Sequence, residues 1–200
     1  ITPALITGSL VGRVKFKALF LFIMFWSVIV YYPMAHMVWG QGGFLAEIGS
    51  VDFAGGNVVH ISSGVSALVL AIYLGQRRGY AKATYRTHNI PFVFLGAAML
   101  WFGWFGFNAG SAFAANGTAG YAWVSTSAAT AAAMLSWGFT EKIRTGHYTA
   151  MGAASGIVAG LVAITPAADV VSPLWAIVLG AIAGVLTCSL ASAEVQARLR

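Results

Sequence analysis

Charged residues are scarce in this chain. Lys, Arg, Asp and Glu make up 8% of the 200 residues, whereas 59% are hydrophobic. A soluble domain needs far more polar surface than this, so the composition excludes a water-soluble fold and favours helices embedded in lipid. The formal charge of +6 comes from basic residues spread through short segments. Because no tract is strongly enriched in them, the charge predicts contact with anionic lipid headgroups and no nucleic-acid partner.

Signals for disulfides, metals and catalysis are also missing. The chain has one cysteine, Cys188, which excludes an intrachain disulfide and a metal–thiolate site. No nucleophile stands beside a base in any apolar run, and no cluster has metal-ligand spacing. We therefore expect no enzyme activity, no metal and no cofactor. Residues 1–12 lack the features of a secretory signal peptide and are expected to be the apolar tail of an earlier helix.

What the chain does contain is a series of long apolar runs. Each is close to the roughly 20 residues that cross a bilayer core as a helix. They lie near 18–39, 53–74, 90–110, 119–140, 148–166 and 173–192. The sequence therefore predicts an all-α fold, a polytopic transmembrane bundle of six spans that forms a single transmembrane domain over residues 1–200.

The basic residues alternate along the links between these runs. Links 40–52, 111–118 and 167–172 contain no Lys or Arg. Because short loops rich in Lys and Arg stay in the cytoplasm, the pattern predicts six crossings with both chain ends cytoplasmic. Glu47, Asp52 and Asp169 would then lie on the outer side. The basic residues of the other links are Arg13, Lys15, Lys17, Arg77, Arg78, Lys82, Arg86, Lys142, Arg144, Arg198 and Arg200.

Glycines recur at four-residue spacing in the last two runs. Gly152, Gly156 and Gly160 lie in the fifth, and Gly180 and Gly184 lie in the sixth. Small residues at this spacing let helix backbones approach closely in lipid. The pattern predicts tight helix packing there.

Asp52 and His60 stand at the start and near the middle of the second run. An acid at a helix start can accept hydrogen bonds from the first backbone N–H groups, so a cap is one interpretation of Asp52. The other is that its charge adds negative potential beneath an external cation site, and both can hold together. His60 lies about 12 Å along the axis from Asp52. A histidine at that depth is either a packing residue or one that faces a pathway.

An aromatic face runs along the third span. Trp104, Phe107 and Ser111 are three and four residues apart and share one side of a helix. An interfacial aromatic belt with core packing would explain this face if it stood alone. Trp39, at the outer end of the first span, could join Ser111 at the same level. An indole face and a hydroxyl acceptor together suit a small cation.

Three strings of the sequence, taken together, resemble the ammonium transporter (Amt/Mep/Rh) family. They are Pro-Met-Ala-His-Met-Val-Trp-Gly at 33–40, Asp-Phe-Ala-Gly-Gly-Asn-Val-Val-His-Ile at 52–61, and residues 103–111. The order and spacing are those of the family, and the Asp-Phe-Ala-Gly-Gly string favours its Amt branch. The likeness extends over essentially the whole chain.

The resemblance implies a homotrimer of eleven-span protomers, each with a narrow hydrophobic pore. This chain would cover the end of the third span to the ninth. Carried over residue by residue, Trp39, Ser111 and Asp52 bind substrate, whereas Phe107, Trp104 and His60 form the gate and pore lining. The family's other gate phenylalanine would lie just upstream of Ile1, and its second pore histidine would lie in a tenth span beyond this chain.

The function that the resemblance implies is transport of ammonium or ammonia across a plasma membrane. Ammonium would be recruited at Trp39 and Ser111, deprotonated near Phe107 and passed inward beside His60. The resemblance also implies a cytosolic regulatory protein as a partner of the complete protein. Two alternatives stay open, an ammonium sensor or receptor and a pore for another small neutral solute. A membrane enzyme is the weakest interpretation.

Overall fold

The computed structural model of the chain describes residues 1–77 and 87–197, with side chains up to residue 191. Every regular element in these ranges is helical. The chain divides into two compact units, Ile1–Tyr85 and Arg86–Arg200. The single transmembrane domain stays a prediction. Some of the basic residues used to predict the topology lie outside the described residues, namely Arg78, Lys82, Arg86, Arg198 and Arg200.

The first unit is built from two long helical segments and shorter helices before and between them. Its elements are α1 (Thr2–Ile6) with a 3-10 turn (Thr7–Ser9), α2 (Phe16–Trp26), a π-helical turn (Ser27–Tyr31), α3 (Tyr32–Trp39), α4 (Phe44–Glu47), a second π-helical turn (Gly56–Ile61) and α5 (Ser62–Leu74). α2, its π turn and α3 follow one another without a gap, and the second π turn leads directly into α5.

The π turn between α2 and α3 has a local cause in Pro33. Proline has no N–H to donate and its ring clashes with the carbonyl one turn earlier, so the hydrogen-bond pattern of the helix has to shift there. The turn Ser27–Tyr31 lies immediately before Tyr32 and Pro33 and takes up that shift. The helix therefore continues to Trp39.

The apolar core of the first unit joins its two long segments. Ile6, Leu10 and Trp26 are buried and pack with side chains of α5, Ala67, Leu70 and Leu74. The indole N–H of Trp26 donates to Ser66 Oγ at 2.8 Å, which fixes α2 against α5. At the end of α5, the Arg13 guanidinium donates to the carbonyls of Ala71 and Gly75, at 3.2 and 2.7 Å. A cation at a helix C-terminus satisfies its last carbonyls and suits the helix dipole.

The second unit contains four long helices. They are α6 (Ile90–Asn108) followed by a 3-10 turn (Ala109–Ala112), α7 (Gly117–Thr145), α8 (Ala150–Ile164) followed by a 3-10 turn (Thr165–Ala167), and α9 (Pro173–Ala197). Three of them begin at a polar cap whose side-chain oxygen accepts from a backbone N–H. These caps are Asn89, Asn116 and Thr149.

Helix α7 packs between α8 and α9 through small residues. A Cβ placed on Gly160 of α8 would lie 2.7 Å from Ala133 Cβ and 2.7 Å from Thr130 Cα. On the α9 side, a Cβ on Gly180 would lie 2.8 Å from Ala129 Cα, and one on Gly184 would lie 3.1 Å from the carbonyl carbon of Ala133. No larger side chain fits at these distances, so the close packing predicted from the glycine spacing is confirmed.

Among the described residues, five helical segments are long and apolar enough to cross a membrane: Phe16–Glu47, Gly56–Leu74, Ile90–Ala112, Ala150–Ala167 and Pro173–Ala191. They coincide with five of the six predicted spans. The fourth predicted span is helix α7, which has 29 residues but is not apolar enough to belong to this set. Its polar side chains Ser125, Thr126 and Thr130 are fully buried in protein, where hydroxyl groups find partners that lipid does not offer.

Candidate functional site

Asp52 holds the start of the π turn that carries His60. Its side chain is buried, and its carboxylate accepts four consecutive backbone N–H groups. Oδ1 accepts from Gly55 N at 3.0 Å and from Gly56 N, and Oδ2 accepts from Asn57 N at 2.8 Å and Val58 N at 3.2 Å. These are the N–H groups that a helix start leaves without partners, and a charged acceptor strengthens each bond. The capping interpretation of Asp52 is confirmed.

The main chain of Asp52 also orients Trp39. The Trp39 indole N–H donates to the Asp52 carbonyl oxygen at 2.8 Å, while 48% of the side chain stays exposed. Gly55 lies beside this contact, and the turn requires glycine there, because its φ is +111° and a Cβ would lie 2.7 Å from Val59 Cγ2. The N–H edge of the indole is thus engaged within the protein, and the exposed part of Trp39 is aromatic surface.

His60 lies within the π-helical turn Gly56–Ile61. The Gly55 carbonyl accepts from both Val59 N at 2.8 Å and His60 N at 3.2 Å, which marks the widening of the helix. The hydroxyls of Ser62 and Ser63 donate back to the carbonyls of Val58 and Val59. Single π turns within α-helices occur often at functional sites. The direction of the His60 side chain is therefore set by a wide turn fixed at both ends.

In the second unit the aromatic face predicted from the spacing is present. The rings of Trp104 and Phe107 meet edge to face, with centroids 5.3 Å apart and an interplanar angle of 65°. Ser111 Oγ donates to the Phe107 carbonyl oxygen at 2.8 Å. Because the hydroxyl proton is used in this bond, Ser111 Oγ can take part in a further hydrogen bond as an acceptor.

Trp104 is held by helix α8. It is 8% exposed and packs against Ala154, Ile157 and Leu161 of that helix. Its indole N–H donates to Thr165 Oγ1 at 2.9 Å. Trp104 is thus an anchored residue of the α6–α8 interface, and this contact was not predicted from the sequence.

Asn108 is a polar residue that the sequence did not single out as a candidate. It is fully buried at the end of α6, and its Nδ2 donates to Thr126 Oγ1 of α7 at 3.0 Å. A signal was available, since a polar side chain at membrane depth is costly and needs a partner. Asn108 directly follows Phe107, so its bond to α7 fixes the backbone that carries the gate candidate.

The candidate site residues fall into two groups. Trp39, Asp52 and the turn of His60 are brought together in the first unit, and Trp104, Phe107 and Ser111 in the second. In the described part of the chain, no three His, Cys, Asp or Glu residues form a group that could hold a metal ion.

Comparison with known proteins decides the family. The model described as the Ammonium Transporter Family matches residues 1–200. The chain belongs to this family. The resemblance stated from the sequence motifs is confirmed, and with it the all-α membrane bundle expected from the apolar runs. Membership of this family, together with the candidate membrane-spanning helices, shows that the chain is a multi-pass membrane protein.

Relatives are similar over most of this chain. An ammonium transporter of Mycobacterium tuberculosis is 56% identical over an alignment of 199 positions, which covers 96% of this chain and 42% of that protein. The crystal structure of Saccharomyces cerevisiae Mep2 superposes with a TM-score of 0.87 at 40% identity, covering 94% of this chain and 44% of the other. The chain thus spans less than half the length of these relatives.

A third similar structure is named Sensor Amt Protein. It has a TM-score of 0.85 and 32% identity, and it covers 94% of this chain and 50% of the other. The fold of this chain therefore occurs both in Mep2 and in a protein named for sensing. These names are those of transporters and a sensor, which agrees with the expectation that the chain is no enzyme.

Proposed function

We propose that the protein moves ammonium across its membrane by recruiting the cation outside and passing it inward as ammonia. The main support for the proposal is that Asp52 accepts hydrogen bonds in two places. Its carboxylate fixes the turn of His60, and its carbonyl fixes Trp39. One residue thereby orients an aromatic cation-binding surface and an imidazole candidate for the pore.

Recruitment rests on the aromatic surface of Trp39 and the charge of Asp52. A cation over an indole face is attracted by about 0.5–2 kcal/mol, more when it is desolvated. Because the Trp39 N–H is already engaged by Asp52, this face is what the side chain presents. The buried carboxylate adds negative potential on the same side, which raises the local concentration of small cations.

Ser111 supplies the hydrogen-bond acceptor of the proposed site. Its proton is donated to the Phe107 carbonyl, so its oxygen offers lone pairs to a donor such as ammonium. Ammonium and potassium are close in size, and only ammonium carries directed N–H donors and can lose a proton. Selectivity in this proposal therefore comes from the Ser111 acceptor and from deprotonation.

The inner path is proposed to carry the neutral molecule. Moving a bare charge through an apolar path costs several kcal/mol or more, so loss of the proton near Phe107 removes the main barrier. Ammonia then passes Trp104 and His60, which belong to the gate and pore lining. The proton travels separately, with His60 as the first member of a histidine relay completed in the family's tenth span.

The proposal includes the arrangement in the membrane. The basic links lie in the cytoplasm, both ends of this chain are cytoplasmic, and Asp52 with Trp39 lies on the outer side of a plasma membrane. The protein assembles as a homotrimer, and a cytosolic protein regulates it. The sensor alternative is favoured by one observation, the similarity to the structure named Sensor Amt Protein. Transport is preferred because the 56% identical relative is named an ammonium transporter.

Uptake of radiolabelled methylammonium tests the proposal. The protein, expressed from its complete coding sequence in cells without their own ammonium transporters, is expected to take up label and to be inhibited by ammonium and not by potassium. Membrane current on addition of ammonium reports whether net charge moves. Absence of uptake and current, with the protein present in the membrane, would overturn transport and favour the sensor.

A further inference from the structure

Thr165 occupies an unusual position in the second unit. It is fully buried, it begins the 3-10 turn that follows α8, and it precedes Pro166. A buried hydroxyl needs hydrogen-bond partners, because leaving it without any costs about 1–3 kcal/mol. Among the described residues Thr165 has two partners, Leu161 of α8 and Trp104 of α6.

The two bonds of Thr165 run in a defined direction. Its hydroxyl donates to the Leu161 carbonyl oxygen at 2.7 Å, so its proton is used within α8. Oγ1 is then an acceptor for the Trp104 indole N–H at 2.9 Å. This bond joins side chains 61 residues apart and is buried.

The hydrogen bond helps to fix the side-chain conformation of Trp104. An indole ring has two side-chain torsions, and packing against Ala154, Ile157 and Leu161 together with the N–H bond fixes both. The ring is thereby held edge to face with Phe107. The bond also occupies the only hydrogen-bond donor of the indole.

We propose that Thr165 is a positioning residue of the transport path, acting through Trp104. By engaging the indole N–H it orients the ring against Phe107 and keeps a donor away from ammonia. Ammonia has a lone pair and would be retained by an unpaired N–H group, whereas an engaged indole offers only apolar surface. This inference rests on the proposed function.

The test compares Thr165→Val, which keeps the shape and removes the hydroxyl, with Thr165→Ser, which keeps the hydroxyl. Thr187→Val is the matched control, since the Thr187 hydroxyl donates along its own helix α9, to the Ala183 and Gly184 carbonyls. The protein is expressed from its complete coding sequence, and methylammonium uptake is measured across substrate concentrations.

We expect Thr165→Val to lower the maximal uptake rate about three- to tenfold, the equivalent of one lost hydrogen bond. KM should change little, because Trp104 lies about 10 Å below Ser111 and acts after recruitment. Thr165→Ser and Thr187→Val should stay close to the unaltered protein. An unchanged maximal rate in Thr165→Val would overturn the positioning role.

A double-mutant cycle separates positioning from folding. In a Trp104→Phe background no indole N–H remains, so Thr165→Val should have no further effect on the rate or on the amount of folded protein. If Thr165→Val misfolds or loses activity equally in both backgrounds, the hydroxyl serves α8 itself and the inference is wrong.

The indole resonance gives a readout that does not depend on transport. In protein carrying ¹⁵N-tryptophan, the Trp104 indole N–H is assigned by its absence in Trp104→Phe. Its proton shift should move upfield in Thr165→Val and stay in place in Thr165→Ser. If the unaltered protein takes up no methylammonium, the proposed function fails and the path role fails with it, while this shift still decides the geometry.

Discussion

The indole N–H of Trp39 is hydrogen-bonded to the backbone carbonyl of Asp52 at 2.8 Å. The same Asp52 holds four N–H groups at the start of the next helical segment through its carboxylate. Asp52, which the sequence predicts to be a helix cap, therefore also orients the side chain of Trp39, 13 residues earlier.

Replacing Asp52 by Ala should reduce both stability and uptake. The substitution leaves four backbone N–H groups without their acceptor in a buried site, which we expect to cost at least about 2 kcal/mol. Thermal unfolding in detergent and methylammonium uptake are the two measurements. Glu47→Ala, at an exposed acid of the same link, should change neither. Normal uptake by Asp52→Ala would contradict the assigned role of the carboxylate.

Substitutions of Trp39 should separate its aromatic face from its N–H group. Trp39→Phe keeps a ring and should raise KM for methylammonium modestly, whereas Trp39→Leu should raise it about tenfold through loss of the cation–π attraction. Concentration-dependent uptake gives both values. Trp175→Leu, at an exposed tryptophan near the start of α9, is the control. Equal KM values for Phe and Leu at position 39 would argue against cation binding by the ring.

Gly160→Ala should destabilise the second unit by about 1–3 kcal/mol, because the added methyl would lie 2.7 Å from Ala133 Cβ and force α7 and α8 apart. The measurement is the midpoint of thermal unfolding, followed by size-exclusion chromatography. Gly96→Ala is the matched control on α6, where a Cβ meets nothing within 4 Å and a small gain in helix stability is expected. Similar midpoints for both variants would show that α7 and α8 are farther apart at Gly160 than these distances indicate.

Arg13→Ala should loosen the end of α5. Arg13 donates to the carbonyls of Ala71 and Gly75, and loss of such a cap costs about 1 kcal/mol. We expect amide hydrogen exchange in the last turn of α5 to become about fivefold faster, because local opening there is made easier. Lys17→Ala removes an exposed charge at the start of α2 and should leave that exchange unchanged. No change in Arg13→Ala would mean that Leu70 and Leu74 already hold the turn.

Features set by neighbours in the chain were predictable. The Asp52 cap joins residues three to six positions apart, and the contact of Trp104 with Phe107 follows from a three-residue spacing. The glycine spacing in α8 and α9 predicted that these helices pack closely against another helix. It did not predict that the contacted residues are Ala129 and Ala133 of α7. The π turns were not predicted, because a shift in hydrogen-bond pattern leaves no change in hydropathy.

The sequence by itself determined where the chain is apolar enough to span a membrane, which residues share a helix face and which family the motifs belong to. These properties depend on composition and on helical periodicity, which act within one segment. Only the tertiary structure decided that Thr165 holds the Trp104 indole, that the Asp52 carbonyl holds Trp39 and that the polar side of α7 is buried. These contacts join residues that are far apart in the sequence. They depend on how whole segments pack together, and a local sequence pattern does not specify that packing.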